Sequence, residues 1–150
     1  MTKREIAEQN FLNGYNCTQA VVLAFADEIG MDKDMLLKIS SSFGGGFSRL
    51  REICGAVSGI GMVVGALEGC DFSVAGQEAK AKHYALVQKL AGAFKEINGS
   101  IICRELLGAK LAATNPTPDA RTPEYYKIRP CAKLVGDAAE ILQKHLDGEL

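Results

Sequence analysis

A chain of 150 residues, 47 % hydrophobic, is long enough to bury the core of one domain and too apolar to be disordered. A formal net charge of -1 gives no electrostatic reason to expect nucleic acid or an anionic membrane as partner. The opening stretch MTKREIAEQNF is charged and amphipathic and lacks the apolar core of a signal peptide, so a cytoplasmic location is expected.

Thr2 followed by Glu5 predicts a capping box and a first helix closed by Asn13-Gly14. Asn16 with Gln19 predicts a second cap. It opens a helix whose apolar face is Val21, Val22, Phe25 and Ile29, ended by Gly30. Asp32 caps a third helix through Met35, Leu36 and Ile39 that stops near Ser41-Ser42. Then comes FGGGFSRLREICGAVSGIGMVVGAL, with three consecutive glycines, two arginines, Cys54 and a small-residue apolar run. A run this long without polar turn residues reads as helix rather than strand, here Ile53 to Leu67. At about 1.5 Å per residue it spans about 22 Å, short of a bilayer core of about 30 Å. Gly55, Gly59, Gly61 and Gly65 each cost a helix interior roughly 1 kcal/mol, so close backbone packing is the expected compensation. Packing within the chain is favoured over a homodimer contact.

Glu68 to Asp71 is a break, and Ser73 is read as the cap of a long helix with the stripe Leu86, Leu90, Phe94 and Ile97. Asn98-Gly99 ends it. Ser100 caps a short helix, Ile101 to Leu107. From Gly108 to Tyr126 the chain reads as loop, with Pro116, Pro118 and Pro123 and no apolar period. Leu111 to Pro123 is its mobile or partner-facing part. Pro130 suits the start of a last helix through Leu134, Val135, Ala138, Ile141 and Leu142. No alternating strand pattern occurs. The expected architecture is one all-α domain, residues 1–150, of five or six helices around a Gly/Ala-rich central helix.

Five cysteines are scattered one per segment, with no C-x-x-C, which removes the zinc ribbon and the thioredoxin motif. Cys17, Cys54, Cys103 and Cys131 each fall in the first turn or so of a different predicted helix. Free amides and the positive end of the helix dipole lower a thiol pKa there. These four are the candidate catalytic or metal-ligating residues. Gly44, Gly45 and Gly46, with Arg49 and Arg51, form a candidate anion or cofactor loop, although a tight turn feeding the central helix explains the same residues. Arg104 and Arg129 lie beside cysteines and suit either a thiolate or a surface ion pair. Glu52 and Glu105, also beside cysteines, are weighed as proton partners, with solvated carboxylates as the plainer reading. His83 reads as exposed and His145 as complementing a helix dipole, and neither has triad spacing.

NGYNCTQAVVLAF, SSFGGGFSRLREICGAVSG, INGSIICRELLG and the final cysteine before a helix resemble the C_GCAxxG_C_C family, described as putative redox-active proteins. The family pattern writes Gly-Cys-Ala-x-x-Gly where this chain has Cys54-Gly55-Ala56-Val57-Ser58-Gly59. The resemblance places the family cysteines on Cys17, Cys54, Cys103 and Cys131 and leaves Cys70 outside. It implies a redox or metal role. A similar segment in split-Soret cytochromes, which carry an iron–sulfur centre, adds an iron–sulfur cluster to the expectations. Three readings follow: a thiol–disulfide protein with an unidentified redox partner, a metal or iron–sulfur protein using the same four thiolates, and a helical interaction module whose cysteines only pack.

Overall fold

Capping chemistry sets the first helices. In the computed structural model, which describes residues 1–150, α1 (Lys3–Leu12) begins at Thr2 with the reciprocal Thr2–Glu5 box and ends at Asn13. Helix α2 (Cys17–Ala24) begins at Asn16 with the equivalent Asn16–Gln19 box. It does not run on to Gly30. Phe25 leaves helical geometry, and a separate single turn, Ala26–Ile29, carries the chain to Gly30 in the left-handed region. Asp32 caps α3 (Lys33–Ser40) by accepting from the Met35 N–H.

The central helix is α4 (Gly55–Glu68), which packs against α2 and the C-terminal helix and buries Ala56, Val57, Ile60, Val63 and Val64. Its glycines divide into two kinds. A Cβ on Gly55 would lie 2.9 Å from the Cys17 Cβ, and one on Gly59 would lie 2.8 Å from the Val21 Cβ. Those two let α2 approach closely, as the pattern predicts, whereas Gly61 and Gly65 meet no neighbour. Gly59→Ala is therefore expected to lower stability by about 1–3 kcal/mol through overpacking. Gly61→Ala is expected to be neutral or to stabilise by up to about 1 kcal/mol. Urea midpoints of the two variants check this, and equal midpoints would refute the packing argument.

Helix α5 (Phe72–Asn98) is capped by Asp71, not by Ser73, because the Asp71 carboxylate accepts from both the N–H and the hydroxyl of Ser73. Gly76, at φ +88°, breaks its first turn. Leu90 and Phe94 enter the core, with Leu86 and Val87 packed against it, but Ile97 is exposed. Helix α6 (Cys103–Leu107) starts two residues later than expected, since the Ser100 hydroxyl accepts from the Ile102 N–H ahead of it. The long loop contains a helix the sequence reading omits, α7 (Pro123–Ile128), capped by Thr122 with proline in its first turn. The last helix, α8 (Cys131–Leu146), buries Leu134, Val135, Ala138, Ile141 and Leu142.

Six helices have eight or more residues, no strand forms, and the buried apolar side chains make one contiguous cluster. The fold is all-α, as expected. The two ends of the chain are joined, because α1 packs most extensively on α8. Arg4 reaches from α1 to Asp137 and Glu140, and Gly136 leaves room for it and Glu8. No helix is long and apolar enough to cross a membrane.

Candidate functional site

Three of the four singled-out cysteines are the first residues of helices: Cys17 of α2, Cys103 of α6 and Cys131 of α8. The fourth, Cys54, is the N-cap of α4. Two short extended segments bring Cys54 and Cys103 alongside each other. The Cys54 N–H donates to the Ile101 carbonyl at 2.8 Å, the Cys103 N–H donates to the Glu52 carbonyl at 2.6 Å, and Ile53 and Ile102 form an isolated antiparallel bridge. Gly55, without a Cβ, lets Cys17 close in from α2. Cys17, Cys54, Cys103 and Cys131, with Gly55, Leu106, Leu107 and Leu134, thus line one small apolar cavity of about 10 Å³. Cys70 is exposed and lies elsewhere, beside Glu68, Lys82 and His83.

The expectation that all four thiols are acidified is corrected. Among the four, only Cys17 is lowered, to about 7, chiefly through the neighbouring Cys131 thiol, with the Gly45 amide and Arg121 assisting against burial. Cys131 goes up, first through its Cys17 neighbour and then through burial. Burial pushes Cys54 up to about 12 against the neighbouring amides of Ala56 and Val57. Burial also raises Cys103, partly offset by Arg51, whose Nη1 lies 3.9 Å from its Sγ. At Cys54 desolvation of the thiolate outweighs the helix-end amides.

A second cavity, of about 340 Å³, opens beside Cys17, Cys103 and Cys131. One wall is the glycine loop. Gly45, Gly46, Phe47, Ser48 and Arg49 all have φ between +49° and +71°, a turn of left-handed helix, and Arg51 follows at +61°. Phe47, Ser48, Arg49 and Arg51 carry side chains there, at about 1–2 kcal/mol each. The turn is held by Arg51 N–H to the Gly45 carbonyl, Glu52 N–H to the Gly46 carbonyl and the Ser48 hydroxyl to the Ser42 carbonyl. Gly44, Gly45 and Arg49 line this cavity, but Gly46 does not. It is packed behind, where a Cβ would lie 2.6 Å from the Cys103 Cβ and 2.7 Å from the Glu52 nitrogen.

The opposite wall comes from the proline loop, which folds over the site instead of projecting from it. Arg49 donates to the Asn115 carbonyl at 2.7 Å and Arg51 to the Ala113 carbonyl at 3.0 Å. Arg121 stacks 4.3 Å over Phe11 and donates to the Phe11 and Tyr15 carbonyls. Arg129 stacks 4.5 Å over Tyr125 and pairs with Asp119, which also takes Arg49. Arg121, Asp119 and Tyr125 escape a reading of the sequence, although Thr122-Pro123-Glu124 is a legible helix start. Arg104 pairs with Glu52 at the surface, and Glu105 accepts from Ser100. Neither glutamate bonds a thiol. His83 is half-buried near Phe72, and His145 pairs with Glu68.

Four cysteines are the right donor set for an iron–sulfur cluster. No group of three Cys, His, Asp or Glu side chains is drawn together as for a metal ion. No cysteine is paired in a disulfide. No curated protein and no solved structure matches the chain. A family model matches residues 15–145, nearly the whole chain and all four of these cysteines. The chain belongs to the C_GCAxxG_C_C family, described as putative redox-active proteins.

Proposed function

We propose that the protein is a thiol–disulfide redox protein in which Cys17 attacks and Cys131 resolves. The observation that carries this is that Cys17 and Cys131, each the first residue of a helix, line both the small cavity and the larger one that opens beside it, with Cys17 the one thiol held below its ordinary value, chiefly by its Cys131 neighbour. With a disulfide substrate, the Cys17 thiolate bonds one sulfur and expels the other as a thiolate, giving a mixed disulfide. Cys131 then loses its proton, bonds the Cys17 sulfur and releases the second thiolate. Two electrons pass from the protein to the substrate; of the two protons that end on the substrate thiols, Cys131 supplies one and water the other. Cys54 and Cys103, held protonated, form the apolar back of the site. The reading carries with it a cytoplasmic setting, where thiols return to the reduced state, and an external disulfide-bearing partner.

Mild oxidation with diamide, in a Cys70→Ser background, is the test. The expected result is loss of two thiols, a mass decrease of about 2 Da, a Cys17–Cys131 linked peptide and full recovery with dithiothreitol. Loss of no thiol would support the packing role instead. Anaerobic treatment with iron and sulfide that gives charge-transfer absorption and stoichiometric iron would overturn the dithiol reading in favour of the cluster.

A further inference from the structure

The larger cavity contains chemistry that thiol exchange does not use. Four guanidinium groups, Arg49, Arg51, Arg121 and Arg129, line it with one carboxylate, Asp119, to balance them. Arg49 and Arg121 are committed to partners through their forks. Arg51, which donates to the Ala113 carbonyl and to the Cys103 sulfur, and Arg129, which pairs with Asp119, each keep one donor without a partner. Arg51 is 5 % exposed and its Nη2 has no hydrogen-bond partner. Arg129 has a side chain 8 % exposed, and its Nε has none either. A buried charged donor left unpaired is costly, and here two belong to residues that line one cavity. The Ala113 carbonyl and the Cys103 sulfur hold Arg51, and stacking on Tyr125 with the Asp119 ion pair holds Arg129, so both are placed before anything binds.

We propose that this cavity is an anion site, which takes a group of at least two negative charges and holds it between Arg51 and Arg129 beside Cys17. Planar forks with unused N–H donors match carboxylate or phosphate-like oxygens. A volume of about 340 Å³ falls at the low end of small-molecule sites and leaves room for an organic body attached to that group. The proposal rests on the dithiol reading in one respect only, that the bound anion belongs to the molecule whose disulfide Cys17 attacks. The substrate class is therefore a small disulfide bearing carboxylate or phosphate-like groups, as opposed to an uncharged disulfide or an extended protein surface.

Calorimetric titration at constant ionic strength tests this with sodium sulfate and sodium malonate, which are redox-inert, against chloride. Saturable one-to-one binding of either is expected, and Arg129→Gln is expected to weaken it about tenfold or more, as loss of a charged hydrogen bond does. Arg51→Gln, with folding checked by its melting curve, should do the same. Sulfate alone binding assigns a tetrahedral group, and malonate alone assigns carboxylates. Binding retained in Cys17→Ser keeps the anion site even if diamide fails to link Cys17 to Cys131, so the two ideas fail separately. No saturation by either anion, or binding unaffected by Arg129→Gln and Arg51→Gln alike, would overturn the site.

Discussion

Replacing Cys17 by serine, in the Cys70→Ser background, is expected to slow alkylation by iodoacetamide at pH 7 by about 100-fold or more. A thiol that titrates near 7 is about half thiolate at that pH, and the thiolate is the reactive form. Cys54, Cys103 and Cys131 all titrate above the ordinary thiol value, so no remaining sulfur replaces it. The lower intrinsic nucleophilicity of an acidic thiolate gives back about one order of magnitude against an ordinary exposed cysteine, but the three survivors are buried as well as protonated. Cys131→Ala supplies the directional check. The Cys131 neighbour favours the Cys17 anion and so lowers its pKa. Without it the alkylation midpoint should rise from about 7 towards the ordinary value near 9, and the rate at pH 7 should fall about tenfold. A pH profile unchanged by both substitutions would mean that the nucleophile has been misassigned.

The largest effect on stability is expected at Gly46. Gly46→Ala places a methyl group 2.6 Å from the Cys103 Cβ, 2.7 Å from the Glu52 nitrogen and 2.8 Å from the Arg51 Cα, at φ +70°. Two of those neighbours are main chain and the third is the root of a side chain, so none can swing away. Overpacking and the left-handed penalty act together, and a loss of about 3 kcal/mol or more is expected in urea unfolding. Gly45 is the control. It also has positive φ, at +69°, but its Cβ would meet the Arg49 Cγ at 3.0 Å, part of a flexible side chain. Gly45→Ala should cost only about 1 kcal/mol. Equal losses at the two positions would show that backbone conformation alone, and not contact with Cys103, makes glycine necessary at 46.

What a reader of the chain can see here is set by distance along it. Helix starts are legible where a side chain caps its own backbone three residues on, as Thr2, Asn16 and Asp32 do, but the same cap at Thr122 is hidden among the prolines of a long loop. Ser73 misled because Asp71, two residues before it, takes the same amide and also the Ser73 hydroxyl. The helix-end positions of Cys17, Cys103 and Cys131 could be read locally, but their acidities could not. Those depend on how much aliphatic surface α4, α6 and α8 bring against each sulfur. The left-handed turn escaped for a related reason. Gly45 and Gly46 announce positive φ, but Phe47, Ser48 and Arg49 adopt it only because Arg49 and Arg51 are anchored to a loop more than sixty residues away. Composition marks that loop as mobile or partner-facing, and its hydrogen bonds to Arg49 and Arg51 cannot be read from local spacing.

The pairing of α1 with α8 bears on how the protein is made. Residue 131 leaves the ribosome long after residue 17, and α8 can settle on α1 and α2 only when most of the chain exists. Until then the Cys17 sulfur lacks Cys131 beside it and the Leu134 side of its cavity. A nascent chain halted before α8 would leave one side of the Cys17 thiol open, and Cys17 meets Cys131 only with the last helical contact.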